Sequence, residues 1–262
     1  MRKIISRAIP ILSTLCVIGL FQTSYLRSVD GTTITDAAVV SHSLKSKRES
    51  LSVTRYIPAF SFRNMKADIV FLDFLQYLGD DAERSETGYE LSPVFFQSII
   101  EDDPYYTDFY VFLSGSTSLI AAMPDESVKL MSLGLEKLSP QHPKDGYYVW
   151  RYKGVDELLF IGDSQLAQKS FQTAAEWAKV SSEQNSSIIA EVSQQTANFL
   201  KENPESTSAQ ISAWTSVLTT AIDDGTRKRA IEKIESLGGE IAVDENGNMR
   251  VKHAQKPQGA DS

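Results

Sequence analysis

Residues 147–179 read YYVWRYKGVDELLFIGDSQLAQKSFQTAAEWAK, and this stretch decides the fold. It predicts two helices folded back on one another, with Gly162-Asp163-Ser164 as the turn. The first helix carries Trp150 and Gly154, and the second carries Ala167, Phe171 and Ala174. Asp108 to Leu138 repeats the layout, with Gly115 in its first helix and Ser127, Met131 and Gly134 in its second. In both second helices a small, a large and a small residue fall at i, i+4 and i+7. Those positions share one helical face, where small residues let a neighbouring helix approach closely. Gly115 to Gly154 is 39 residues and Met131 to Phe171 is 40. A period of that length built from helix pairs is the signature of an α-solenoid.

The remainder of the body extends this pattern in both directions. Phe62, Met65, Ile69, Phe71, Leu72, Leu75 and Leu78 recur at helical spacing between Ser61 and Gly79, and they predict a helix with those residues on its apolar face. Asp80–Glu90 reads as a charged loop. Ser92-Pro93 opens another helix, as caps and first-turn prolines do. Two further helices are predicted in the middle hairpin, Tyr105 to Ala122 and Pro124 to about Leu138. Beyond Ser181 helices are predicted over 187–201, 206–222 and 226–237. EIAVDENGNMRVKH then alternates apolar and polar residues around Asn246-Gly247, a strong hairpin signal. A lone hairpin is marginal, so it is expected to pack on the last helices.

Trp150-x3-Gly154 followed by Ala167-x3-Phe171-x2-Ala174 resembles the tetratricopeptide repeat, with one extra residue between Gly154 and Ala167. The Gly115 hairpin keeps the second-helix spacing as Ser127, Met131 and Gly134, with Val111 in place of the first aromatic and Pro140 one position late. The resemblance covers about residues 60–180, and the long 139–146 connection lengthens the period beyond the family's usual one. The whole also resembles membrane-anchored bacterial proteins of this type, cyanobacterial ones among them. The resemblance implies stacked hairpins whose first helices line a concave surface, and protein binding on that surface.

The N-terminus supplies an address. Arg2, Lys3 and Arg7 precede an uncharged run from Ala8 to Leu26, which is 19 residues. As a helix that run is about 28 Å long, close to the hydrocarbon thickness of a bilayer. Flanking cations stay inside, so the body is expected on the extracytoplasmic side, in a periplasm or thylakoid lumen. The alternative is a cleaved signal peptide and secretion, although no A-x-A site follows Phe21. Residues 27–58 are rich in Ser, Thr and charge and read as a linker, with a short strand or helix near Asp36–Leu44. Residues 254–262 form a polar tail. The expected organisation is thus a membrane segment at 1–26, a linker at 27–58, repeats at 59–180, C-terminal helices and hairpin at 181–253, and the tail.

Charge and composition exclude several function classes. A net charge of −8 argues against nucleic acid as partner. Cys16 is the single cysteine, so no intrachain disulfide forms, and His42, His142 and His253 lie apart without ligand spacing. No metal or cofactor is expected. The groups Asp80-Asp81-Glu83 and Glu101-Asp102-Asp103 lack the spacing of a calcium loop and read as solvated or capping charge. Ser114-Gly115-Ser116-Thr117-Ser118 lacks the glycine spacing and lysine of a phosphate loop and reads as a close-packing surface within a helix.

What remains is a binding surface. Arg63 and Lys66 on one first helix, and Arg151 and Lys153 on another, form a candidate clamp for an acidic peptide. Tyr106, Tyr110 and Tyr148 are the aromatic anchors expected beside them. The expected protein is all-α: an α-solenoid of tetratricopeptide-like hairpins with a small C-terminal β-hairpin and an N-terminal membrane helix. It is expected to bind another protein, a subunit of a membrane complex, in scaffolding or assembly. The alternatives are a helical hydrolase or cell-wall enzyme, for which no credible acid or nucleophile set is found, and a purely structural subunit.

Overall fold

The computed structural model describes residues 37–243 and 249–253. The chain divides into two compact units, Met1–Ser41 and His42–Ser262, and only residues 37–41 of the described chain belong to the first. The expected membrane segment, Cys16, the Asn246-Gly247 turn and the polar tail lie outside the described residues. No described helix is long and apolar enough to cross a membrane.

The described chain is mostly helical. Its α-helices are α1 Ala37–Tyr56, α2 Arg63–Gly79, α3 Asp81–Thr87, α4 Ser92–Asp102, α5 Asp108–Leu113, α6 Pro124–Leu135 and α7 Tyr147–Asp156. After these come α8 Ser164–Val180, α9 Ser186–Glu202, α10 Thr207–Thr220 and α11 Asp224–Ser236. Strands β1 Gly239–Val243 and β2 Met249–His253 pair antiparallel, with Ile241 opposite Val251. Both of those residues pack on the cluster formed by Trp214, Val217, Leu218, Ala230 and Ile234, so the hairpin closes the last two helices.

Local chemistry starts and stops these elements where the sequence directs. Pro93 and Pro124 occupy first-turn positions, where a missing N–H costs nothing. Asp163 accepts from the backbone N–H groups of Gln165 and Leu166, and Asp223 from that of Thr226, so each satisfies donors at a helix start. Asp80 does the same for α3, accepting from Glu83 N. That cap gives the charged segment 80–90 a two-turn helix where a loop is expected. Most of the 27–58 segment likewise holds α1, whose Leu51 is buried against the core of α2 and α4.

α5 and α7 do not end as α-helices. Each passes into a π-helical turn, Ser114–Ile120 and Glu157–Ile161. There Ala121 N donates to Ser116 O and Gly162 N to Glu157 O, five residues back in each case. A π turn absorbs one residue beyond the α-helical count. Gly162 closes the second π turn at φ 90°, a left-handed conformation that glycine adopts without strain.

The hairpin interfaces use the small–large–small pattern. Ala167, Phe171 and Ala174 of α8 are buried, as are Ser127, Met131 and Gly134 of α6. A Cβ on Gly134 would lie 2.6 Å from Cε1 and Cζ of Tyr110, so only glycine fits there. A Cβ on Gly154 would lie 3.0 Å from Phe171, the contact that the two repeat positions are spaced to make.

Candidate functional site

Helices α2, α5 and α7 are the first helices of the three hairpins. α2 meets α5 through its Phe71 ring, which sits 4.9 Å from Phe109 and 5.0 Å from Phe112. α5 and α7 run in the same direction. Thr107 donates to Asp145 at their starts, and Ser114 Oγ donates to Asp156 Oδ1 at 2.7 Å at their ends.

α2 carries two apolar stripes. Ala67, Val70, Phe74 and Tyr77 are buried and form the inner one. Met65, Ile69 and Leu72, at i, i+4 and i+7, form the second and are 55, 59 and 59% exposed. This corrects the expected inner face: of its seven residues, only Phe71 and Leu78 turn partly into the core. A helix packed on one side normally presents polar residues on the other. Here the outer stripe is apolar, and it continues on α5 through the exposed Phe112, which touches Phe71.

Tyr106 and Asp108 border the stripe at the start of α5, and further tyrosines lie on α7. Tyr106 is half-exposed, and its phenol is held above its usual pKa by a hydrogen bond to the Asp108 carboxylate and by the charges of Asp108 and Asp68. On α7, Tyr148 and Tyr152 stack with ring centroids 6.2 Å apart and planes at 20°. Burial raises the Tyr152 phenol, and Tyr148 and Asp108 add to the effect.

The expected binding residues are placed in three different ways. Arg63 and Lys66 are brought together, but on Asp102 of α4: Lys66 Nζ lies 2.9 Å from Oδ2 and Arg63 Nε 3.6 Å from Oδ1. Lys66 also donates to the carbonyls of Arg55 and Ile57, and Arg63 to that of Glu101, so the pair ties the α1–α2 turn to the end of α4. Arg151 and Lys153 point elsewhere. Arg151 Nη1 donates to Ser193 Oγ at 2.6 Å, with its guanidinium over the Phe171 ring. Lys153 pairs with Glu157 and donates to Ser170 Oγ at 3.4 Å. Tyr110 is fully buried and donates to Pro104 O at 2.8 Å, so it holds the hairpin and touches no partner. Tyr106 and Tyr148 remain at the surface of the first helices.

The densest polar cluster is internal. Asp156 is fully buried and accepts from Ser114 Oγ at 2.7 Å, Ser118 Oγ at 2.6 Å and Ser127 Oγ at 2.8 Å. Burial raises its pKa, and the three hydroxyls oppose that rise. Next to it Glu157 takes Lys153 and Ser170 Oγ, the latter at 2.6 Å. These bonds join α5, α6, α7 and α8 at the two π turns. Every hydroxyl is committed to a carboxylate that water does not reach, so the cluster fastens hairpins and offers no nucleophile to a substrate. No group of three or more His, Cys, Asp or Glu among the described residues is arranged to hold a metal ion.

A groove of about 810 Å³ runs between α1, α4 and α6, with Val94, Leu130 and Leu133 in its floor and Glu90, Glu126 and Glu136 at its rim. It is open, and none of the buried polar groups above lines it. Ile188, Val192 and Phe199 make a second exposed apolar row on α9, but the α2 stripe is the one that continues onto a neighbouring helix, through Phe71 and Phe112. Its signal is present in the sequence as an excess: α2 has more apolar residues than one helical face can hold.

No protein-family model matches the chain, and no curated protein or solved structure matches it.

Proposed function

We propose that this chain is a protein-binding module of tetratricopeptide-like hairpins, stacked as an α-solenoid, that docks a helix of another protein on the shared surface of α2 and α5. The single observation that carries this reading is the exposed stripe Met65, Ile69 and Leu72 on a helix whose opposite face is already buried. An unpartnered apolar face of this kind marks an interaction surface. Spacing at i, i+4 and i+7 is the complement of helix-in-groove recognition. Full burial of one such side chain gains about 1.5–3 kcal/mol, and these three, already part-covered, supply a fraction of that each toward offsetting the ordering cost of association.

The Ala8–Leu26 run serves as the membrane anchor in this proposal, with the body on the extracytoplasmic side. Confinement to a membrane raises the effective concentration of the module near membrane-bound partners, which suits a scaffold or assembly factor. A photo-crosslinking residue placed at position 69 of the full-length chain, in native membranes, tests the reading. One discrete crosslinked protein, absent with the probe at position 201 on α9 and abolished by Leu72→Asp, is the expected result. Equal crosslinking from both positions overturns it.

A further inference from the structure

We infer that the partner helix of this face is basic and amphipathic, with lysine or arginine flanking its apolar residues. The inference rests on the docking reading above and adds the chemistry of the partner. It follows from which charges the fold leaves free. Three of the four cations expected to clamp an acidic ligand are ion-paired, Arg63 and Lys66 with Asp102 and Lys153 with Glu157, and Arg151 is turned onto the Ser193 hydroxyl and the Phe171 ring. Of the carboxylates at the surface of these first helices, Asp73 pairs with Lys47, but two others have the opposite fate. Asp68 on α2 and Asp108 on α5 are exposed and enter no ion pair among the described residues.

These carboxylates sit beside the stripe. Asp68 is on the turn that separates Met65 from Ile69, and its charge reaches Tyr106, which also binds Asp108. Apolar residues in the middle and unpaired negative charge along the edge fit a helix with the reverse charge pattern. The half-exposed ring of Tyr106 adds a site on which an ammonium or guanidinium group gains cation–π attraction. An acidic helix would bring like charges into contact and be rejected. An anionic bilayer or a nucleic acid would be repelled for the same reason, so the stripe is not a lipid- or nucleic-acid-binding surface. The net charge of −8 steers a basic partner toward the molecule as a whole.

The test uses two synthetic amphipathic helices of about 18 residues, five turns long, with identical leucines and either lysine or glutamate at every polar position. Surface plasmon resonance measures their binding to the immobilised full-length chain in non-ionic detergent, with a blank surface subtracted. The lysine peptide is expected to bind at least about tenfold tighter than the glutamate peptide. Asp68→Asn/Asp108→Asn is expected to weaken it about fivefold or more and to flatten its salt dependence. Glu202→Gln/Glu235→Gln, which removes equal charge from exposed positions on α9 and α11, should leave it unchanged.

If the two double variants weaken the lysine peptide equally, only net charge attracts it and the inference falls. If both peptides bind alike and both are lost in Ile69→Asn/Leu72→Asn, the docking face stands and the basic partner falls. If Ile69→Asn/Leu72→Asn changes neither, the docking reading itself has failed.

Discussion

Asp156 is the residue on which most of the fold converges, and its environment sets opposing forces against each other. Removing a carboxylate from water disfavours its charged form, whereas three serine hydroxyls donate to it and favour that form. The net shift is upward, so the folded chain binds the Asp156 proton more tightly than the unfolded chain does. The contribution of this group is therefore greatest below its unfolded pKa, near 3.8, and is lost as pH rises through the higher folded value. An amide in its place cannot titrate, and its oxygen still accepts from one hydroxyl. The stability gap between the wild type and Asp156→Asn, read from urea midpoints, should thus shift against the wild type between pH 4.5 and pH 7.5. A gap that stays constant across that range would remove the proposed linkage. Part of this cluster is legible in the sequence. Spacing alone puts Ser127 on the packing face of its helix and makes Ser114–Ser118 a close-packing segment. Their shared acceptor, Asp156, is not legible, because it lies 38 residues from Ser118 and only the tertiary fold brings the two together.

At the scale of elements, α2 explains how a correct helix comes with an incorrect face. Periodicity locates the helix to within two residues of its start, since the predicted segment opens at Ser61 and Arg63 is the first helical residue. Phe62, Met65, Ile69 and Leu72 repeat at helical spacing, and so do Ala67, Val70, Phe74 and Tyr77. A helix apolar on both sides gives the sequence no basis for choosing the inner one. The choice is made by neighbours: Phe74 packs 4.7 Å from Phe96 and 5.7 Å from Phe95 of α4. The two faces should respond differently to substitution. Phe74→Ala, at a position with no exposure, should cost about 3 kcal/mol or more through the cavity it leaves. Ile69→Asp/Leu72→Asp should change the unfolding free energy by less than about 1 kcal/mol, as exposed positions do. Denaturant unfolding of both variants checks this, and a large loss in the second would mean that the outer stripe is already covered within the molecule. The π turns are half legible. Both helices are predicted to run to these turns, but no spacing distinguishes a π turn from an α-helical one: the 154–167 interval holds one residue more than the 115–127 interval, and both contain a π turn.

For the whole molecule, cooperativity is the property the sequence does not specify. Repeats imply interactions between neighbours, yet they do not say how far a disturbance at one end travels. The described residues bury not one core but several clusters, of which the two largest are an N-terminal one around Phe74, Phe96 and Met131 and a C-terminal one around Trp214 and Ile234, with smaller ones around Phe171 and Tyr147. The two largest meet at the π turns. Trp214 Nε1 donates to Phe160 O at 3.3 Å, its ring packs edge-on against Phe160, and Arg229 Nη2 donates to Ala121 O at 3.0 Å. If these contacts couple the clusters only weakly, local opening free energies will differ along the chain. Trp214→Ala removes both the ring contact and the hydrogen bond, and cavity formation on that scale costs about 3–5 kcal/mol. Hydrogen exchange should then accelerate by orders of magnitude in α10, α11 and the 157–161 turn, while α2, α4 and α6 keep their protection. Equal acceleration throughout would mean that the helices unfold as a single cooperative body. Retained protection in the N-terminal cluster would mean that the surface of α2 and α5 stays folded while the C-terminal end opens. The docking face proposed for α2 and α5 would then be independent of the hairpin and helices that close the other end.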